Sequence, residues 1–135
     1  MCFVTKQQYS IILKKDKKVF KILKRWDNNT LLSQFQNFKY ELNKLYSSKI
    51  EKSWDKSNFD TNDEDWYNKI PFSSRYKLTW IGSGFHAATT QKRLKNHIID
   101  NQILVECTIP AGSIYYANKK TQLCVSNQII INKVL

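Results

Sequence analysis

The chain is 135 residues long, 41% hydrophobic and 13% aromatic, and sets 22 Lys and Arg against 11 Asp and Glu, a formal charge of +11. That size builds one domain with its own core, and that apolar content excludes a disordered tail. No apolar run approaches the ~18 residues a bilayer span needs, and lysines interrupt the stretch from Met1 to Lys24, which excludes an ordinary secretory signal.

Taken in chain order, Phe3 to Leu13 ends in apolar Ile11-Ile12-Leu13, and the charged turn Lys14-Lys15-Asp16-Lys17-Lys18 follows. Val19 to Lys24 then mixes β-branched and aromatic residues with lysines that can face water, so the two pieces predict a hairpin. Asp27-Asn28-Asn29-Thr30 breaks the pattern and offers Asn29 or Thr30 as a helix cap. Between Leu31 and Tyr46, Leu31, Phe35, Phe38, Leu42 and Leu45 fall at helical spacing, while Phe38, Tyr40 and Leu42 alternate as in a strand; the longer period favours a helix. Residues 47–70 read as a long acidic, aromatic excursion carrying Trp54, Phe59, Trp66 and Tyr67. Pro71 interrupts, and Tyr76 to Ile81 alternates as a strand. Thr89 or Thr90 caps a helix reaching Ile99, with Leu94, Ile98 and Ile99 inward and Lys92, Arg93 and Lys95 outward. Ile103 to Ile109 is the strongest strand and stops where Pro110 removes a donor. Ile114 to Tyr116 starts a short extended piece, Asn118-Lys119-Lys120 turns, and Val125 to Val134 is the final strand. The expected fold class is α+β, a single domain over 1–135 with a mostly antiparallel sheet and one or two packed helices.

The charge is unevenly spread. Lys6, Lys14, Lys15, Lys17, Lys18, Lys21, Lys24 and Arg25 crowd the start, Asp55 to Asp65 form an acidic middle, and Arg75, Lys77, Lys92, Arg93, Lys95, Lys119 and Lys120 make a second basic group. Such a surface attracts phosphate-bearing partners, and it also serves solubility alone. Trp26 beside Lys24 and Arg25, and Trp80 near Arg75, set stacking faces next to phosphate-seeking cations; the same tryptophans could instead seal the core.

All three glycines and both histidines of the chain lie between Gly82 and Gly112. His86, after Gly82-Ser83-Gly84, stands where the strand is expected to meet the helix, placed to bond a ribose or phosphate beside free helix amides. The alternative is a buried histidine satisfied by a backbone carbonyl, with the glycines serving tight turns. Gly82-Ser83-Gly84 has the composition of a phosphate loop without its full fingerprint. Cys2, Cys107 and Cys124 are odd in number and lack Cys-x-x-Cys spacing, so no zinc cage, disulfide framework or other metal site is expected, and a reducing cytoplasm is the natural compartment. No carboxylate pair or nucleophile elbow marks a catalytic residue, and no cofactor is implied.

Met1-Cys2, Val19-Phe20-Lys21-Ile22-Leu23, Asn37-Phe38-Lys39-Tyr40-Glu41, Gly84-Phe85-His86 and Ile109-Pro110-Ala111-Gly112-Ser113-Ile114-Tyr115-Tyr116 together resemble small proteins of phages and mobile elements of gut bacteria. Those relatives usually carry glycine where Asn43 stands, a pattern that implies a strand followed by a turn over 38–46. The element order is also similar to that of minimal ADP-ribosyltransferase-like domains, which use an arginine or histidine on an early strand and often a glutamate on a late one. Here the early strand offers Lys21 and Lys24, and Val125 to Val134 has no carboxylate.

These readings converge on a non-catalytic protein of the host-cell cytoplasm that binds nucleic acid or a nucleotide, with no membrane partner. Lys14, Lys15, Lys17, Lys18, Lys21, Lys24, Arg25 and Arg75 would supply attraction, Trp26 and Trp80 stacking, and His86 with Gly82, Ser83 and Gly84 geometry. Two other expectations stay open: a viral counter-defence factor that blocks a host protein, and a divergent ADP-ribosyltransferase-like enzyme.

Overall fold

The computed structural model describes residues 3–7, 9–27, 30–33, 38–51 and 78–135. Arg75, Trp54, Phe59, Trp66, Tyr67 and the expected excursion from residue 52 onward lie outside the described residues. Those described form twelve strands and one four-residue helix: β1 (Phe3–Thr5), β2 (Ile11–Ile12), β3 (Lys17–Arg25), β4 (Thr30–Ser33), β5 (Lys39–Glu41), β6 (Leu45–Ser47), β7 (Thr79–Ile81), β8 (Phe85–Ala88), α1 (Lys92–Lys95), β9 (Gln102–Ile109), β10 (Ile114–Asn118), β11 (Leu123–Ser126) and β12 (Gln128–Val134).

The α+β expectation is therefore corrected to a nearly all-β, antiparallel fold. The segment expected as a helix over 31–46 is three short strands. Leu31 and Tyr40 face each other across β4 and β5, and both enter the core. The helix expected over 89–99 shrinks to the single turn of α1, because Asn96 and His97 are weak helix formers and Asn101, at φ 66°, turns the chain into β9. Ile98 and Ile99, expected inward, are exposed. The expected hairpin does not form either: β1 pairs with β7, and β2 pairs with β10. The expected final strand divides at Asn127, whose side-chain oxygen accepts the Ile114 amide at 2.8 Å.

The main sheet runs β2-β10-β11-β8-β3-β9-β12-β6, with β4 and β5 added on β3. β3 organises it. Val19 and Leu23 point to one side and Phe20 and Ile22 to the other, all four buried, as a strand covered on both faces requires. One edge of β3 pairs with β9 from Lys17↔Ile109 to Lys24↔Gln102. The other edge forks, meeting β8 at Phe20↔Ala88 and β4 over Leu23 to Arg25.

Beyond that fork, the β5–β6 turn carries the β4–β5 branch across to β12, on the far side of β9. Asn43, at φ 60°, donates its amide to the Ile131 carbonyl at 2.7 Å, and the rings of Tyr40 and Tyr46 sit 5.1 Å apart, edge to face. Val19, Leu23, Leu31, Phe85, Val105, Cys107, Ile109, Cys124, Ile129 and Ile131 fill the enclosed space. Each large apolar side chain there contributes about 1.5–3 kcal/mol through burial. The β1–β7 ribbon lies against β10 and β11: Phe3 and Ile81 pack on Tyr116 and Val125, and Asn118 donates to the Val4 carbonyl at 2.9 Å.

Candidate functional site

The two-residue period of β3 sorts the cations of the first basic group, because side chains two apart share a face. Lys17 and Lys21 share the core-facing side with Val19 and Leu23, whereas Lys18 and Lys24 point the other way. Lys17 holds its ammonium 5.8 Å from the centre of the Tyr115 ring. Lys18 pairs with Glu106 at 3.5 Å, and Lys133 reaches the same carboxylate at 4.0 Å. Lys14 and Lys15 are exposed in the β2–β3 connection, next to Asp16, which accepts the Ala111 amide at 2.8 Å.

Lys21 is not a surface cation. Its ammonium donates to the His86 carbonyl, and burial among core residues that include Cys107 and Cys124 holds its pKa below the ordinary lysine value. Burial pushes both thiols the opposite way, to about 12, so they stay protonated and poorly nucleophilic. The lysine of the early strand is thus spent inside the protein.

His86 lies inside β8, opposite Val125, and not at a helix N-terminus. Its Nδ1 meets the Gly84 carbonyl at 3.2 Å, its ring stands edge-on to Phe3, and its enclosed Nε2 has no hydrogen-bond partner among the described residues. Desolvation, then the nearby Lys21 charge, lowers its pKa to about 4, so the imidazole is neutral at pH 7. Gly82-Ser83-Gly84 is equally committed. The Gly82 amide donates to the Glu51 carbonyl at 3.0 Å, and the Ser83 hydroxyl accepts from the Glu51 amide at 2.9 Å and donates to the Lys49 carbonyl at 3.2 Å. Gly84 adopts φ +118°, and a Cβ there would sit 2.8 Å from a Val125 methyl. This turn joins two chain segments, and the Gly82 amide and Ser83 hydroxyl are used in doing so.

The two tryptophans of the candidate set differ sharply. Trp80 is 4% exposed within the β1–β7 ribbon, whereas Trp26 is 67% exposed just after β3. Lys24, Arg25 and Trp26 therefore stand at one end of β3, and Lys14 to Lys18 at the other, roughly 26 Å away by the strand rise.

The structure also joins residues that the sequence had left as a loose second basic group. The connection from β8 to β9 carries α1 and is tied at both ends. At one end the Thr89 amide donates to the Gln122 carbonyl at 2.9 Å, and Arg93 Nε donates to the Thr121 carbonyl at 2.7 Å. At the other, the Gln102 amide donates to the Ile99 carbonyl at 3.0 Å and the Arg25 amide to the Asn101 carbonyl at 3.1 Å. Exposed Lys119 and Lys120 of the β10–β11 turn and Lys92 and Lys95 of α1 are thereby tied, through the backbone, to the end of β3 that carries half-buried Lys24, while Arg25 points to the opposite face of that strand. The signal for this was the outward face expected of the helix, but nothing local announced the tie to residues 121 and 122.

Seventeen of the 22 Lys and Arg but only six of the 11 Asp and Glu belong to the described residues, so the whole net charge of +11 resides on them. Both ion pairs found among those residues use one carboxylate, Glu106. No group of three His, Cys, Asp or Glu among them could hold a metal ion, and no described helix is long and apolar enough to cross a membrane. Compared with known proteins, the chain matches no protein-family model, no curated protein and no solved structure.

Proposed function

We propose that this protein binds a phosphate-bearing ligand, a nucleic acid in preference to a free nucleotide, as a non-catalytic factor of a phage or mobile element acting in the cytoplasm of its bacterial host. The observation that carries this reading is the concentration of the entire +11 charge on the β framework, compensated there by two ion pairs on one glutamate. Cations without internal partners attract a polyanion and release its counterions. Preference for a polymer rests on their spread: the basic groups at the two ends of β3 stand roughly 26 Å apart, too far for one mononucleotide to reach both. The residues that would have formed a compact nucleotide cleft, His86 and Gly82 to Gly84, instead bond to the backbone around them.

The direct measurement is fluorescence anisotropy with a labelled mixed-sequence oligonucleotide and with labelled ATP, across a salt series. Six exposed cations meeting six phosphates predict a slope of about −4 in log affinity against log salt for a single strand, and little retention of ATP. An oligonucleotide affinity that stays flat as salt rises would overturn the reading.

A further inference from the structure

From the arrangement of the β8–β9 connection we infer that the surface running from the β10–β11 turn across α1 to the end of β3 is a track for single-stranded nucleic acid, and that Trp26, Ile98 and Ile99 form the platform for its unstacked bases. This deepens the reading above and rests on it. The surface is continuous because both ends of the connection are hydrogen-bonded, to Thr121 and Gln122 on one side and to Arg25 on the other. Lys119, Lys120, Lys92, Lys95 and Lys24 supply its charge.

What distinguishes this surface from a plain basic patch is its apolar end. Trp26 and Ile99 are 67% and 70% exposed and Ile98 is 37% exposed, and all three belong to the segments that meet at Arg25 and Asn101. Leaving such groups in water is costly, and a duplex would not relieve that cost, since it offers phosphates outside and keeps its base faces stacked within. A single strand presents both chemistries at once: phosphates for the lysines and π-faces for an indole and its aliphatic neighbours. Between the point where β8 meets β3 at Phe20 and the end of β3 at Arg25, the strand rise gives roughly 17 Å. That length suits the short end of single-strand site sizes, about four nucleotides. Asp27 and Asp100 are the described carboxylates in the segments bearing the platform, and they lie where bases would stack, away from the lysines of the β10–β11 turn.

The experiment compares a labelled single strand with a duplex of the same sequence, using the full chain, Trp26→Ala and a Lys92→Glu/Lys95→Glu double variant, with thermal melting of each. We expect tighter binding of the single strand, about tenfold weakening of it in Trp26→Ala, unchanged duplex binding in that variant, and a salt slope shallower by about 1.4 in the double variant. Should Trp26→Ala lower the melting temperature, Ile99→Ser probes the same platform and should likewise weaken only the single strand. Duplex binding as tight as single-strand binding, with Trp26→Ala and Ile99→Ser both silent, overturns the track while leaving nucleic-acid binding in place. Absence of binding to either oligonucleotide overturns the proposed function, and the track with it.

Discussion

At the scale of single residues, the region that drew attention as a site is mostly committed to holding the chain together, and His86 shows the consequence. Its imidazole has a folded pKa near 4 against an ordinary 6.5, because desolvation and the Lys21 charge oppose the cation. As pH falls below 6.5, the unfolded chain takes up a proton that the folded chain refuses until near 4. The stability tied to His86 is therefore complete above 6.5 and is lost between 6.5 and 4, by up to about 3 kcal/mol. Denaturant midpoints measured over that interval should fall more steeply for the native sequence than for His86→Leu, and parallel curves would contradict the burial argument. In sequence, His86 reads as a ligand-site residue and only alternatively as a buried, carbonyl-bonded histidine, because the glycines beside it suit either role. Nor is the inward Lys21 legible there: Val19-Phe20-Lys21-Ile22-Leu23 is apolar at both parities, so alternation alone does not say which side faces water.

Among the elements, the stretch from Leu31 to Ser47 is instructive because its aromatic and leucine positions satisfy two periods at once. The choice is settled by cross-strand partners: Leu31 pairs with nearby Arg25 and Tyr40, and Tyr46 with distant Ile129. Period counting within a window has no access to such pairings, whereas Val19 to Lys24 and Ile103 to Ile109, with dense β-branched residues, needed no such help. The turn after β5 depends on Asn43 at φ 60°, a conformation open to glycine and asparagine but strained for most side chains. Asn43→Gly should leave the melting temperature nearly unchanged, while Asn43→Ala should cost about 1 kcal/mol in chemical denaturation. Equal effects of the two variants would remove the backbone explanation. The same blindness to distant pairing hid the tie between α1 and the β10–β11 turn, made where Arg93 reaches the Thr121 carbonyl.

For the whole molecule, the enclosed core makes chemical access a measure of global opening. Cys107 and Cys124 have no solvent-exposed surface and thiol pKa values near 12. In native buffer at pH 8 a thiol reagent should leave both unmodified, as mapped by mass spectrometry, and should label both at the rate of unfolding once denaturant is added. Prompt labelling of either in the native protein would show that the interior is open.

The forked pairing of β3 reaches beyond the finished fold, to the order in which the chain leaves the ribosome. Every partner that β3 acquires along its long edge lies between Gln102 and Ile109, and β1 is fastened by Asn118, more than a hundred residues downstream. At synthesis rates of roughly 5–20 residues per second, β3 waits several seconds with an apolar edge open before β9 emerges to cover it. Closure of so many long loops also makes this a slow-folding topology. During that wait, the lysines interspersed along β3 repel a second nascent copy and keep the unsatisfied edge from pairing with it.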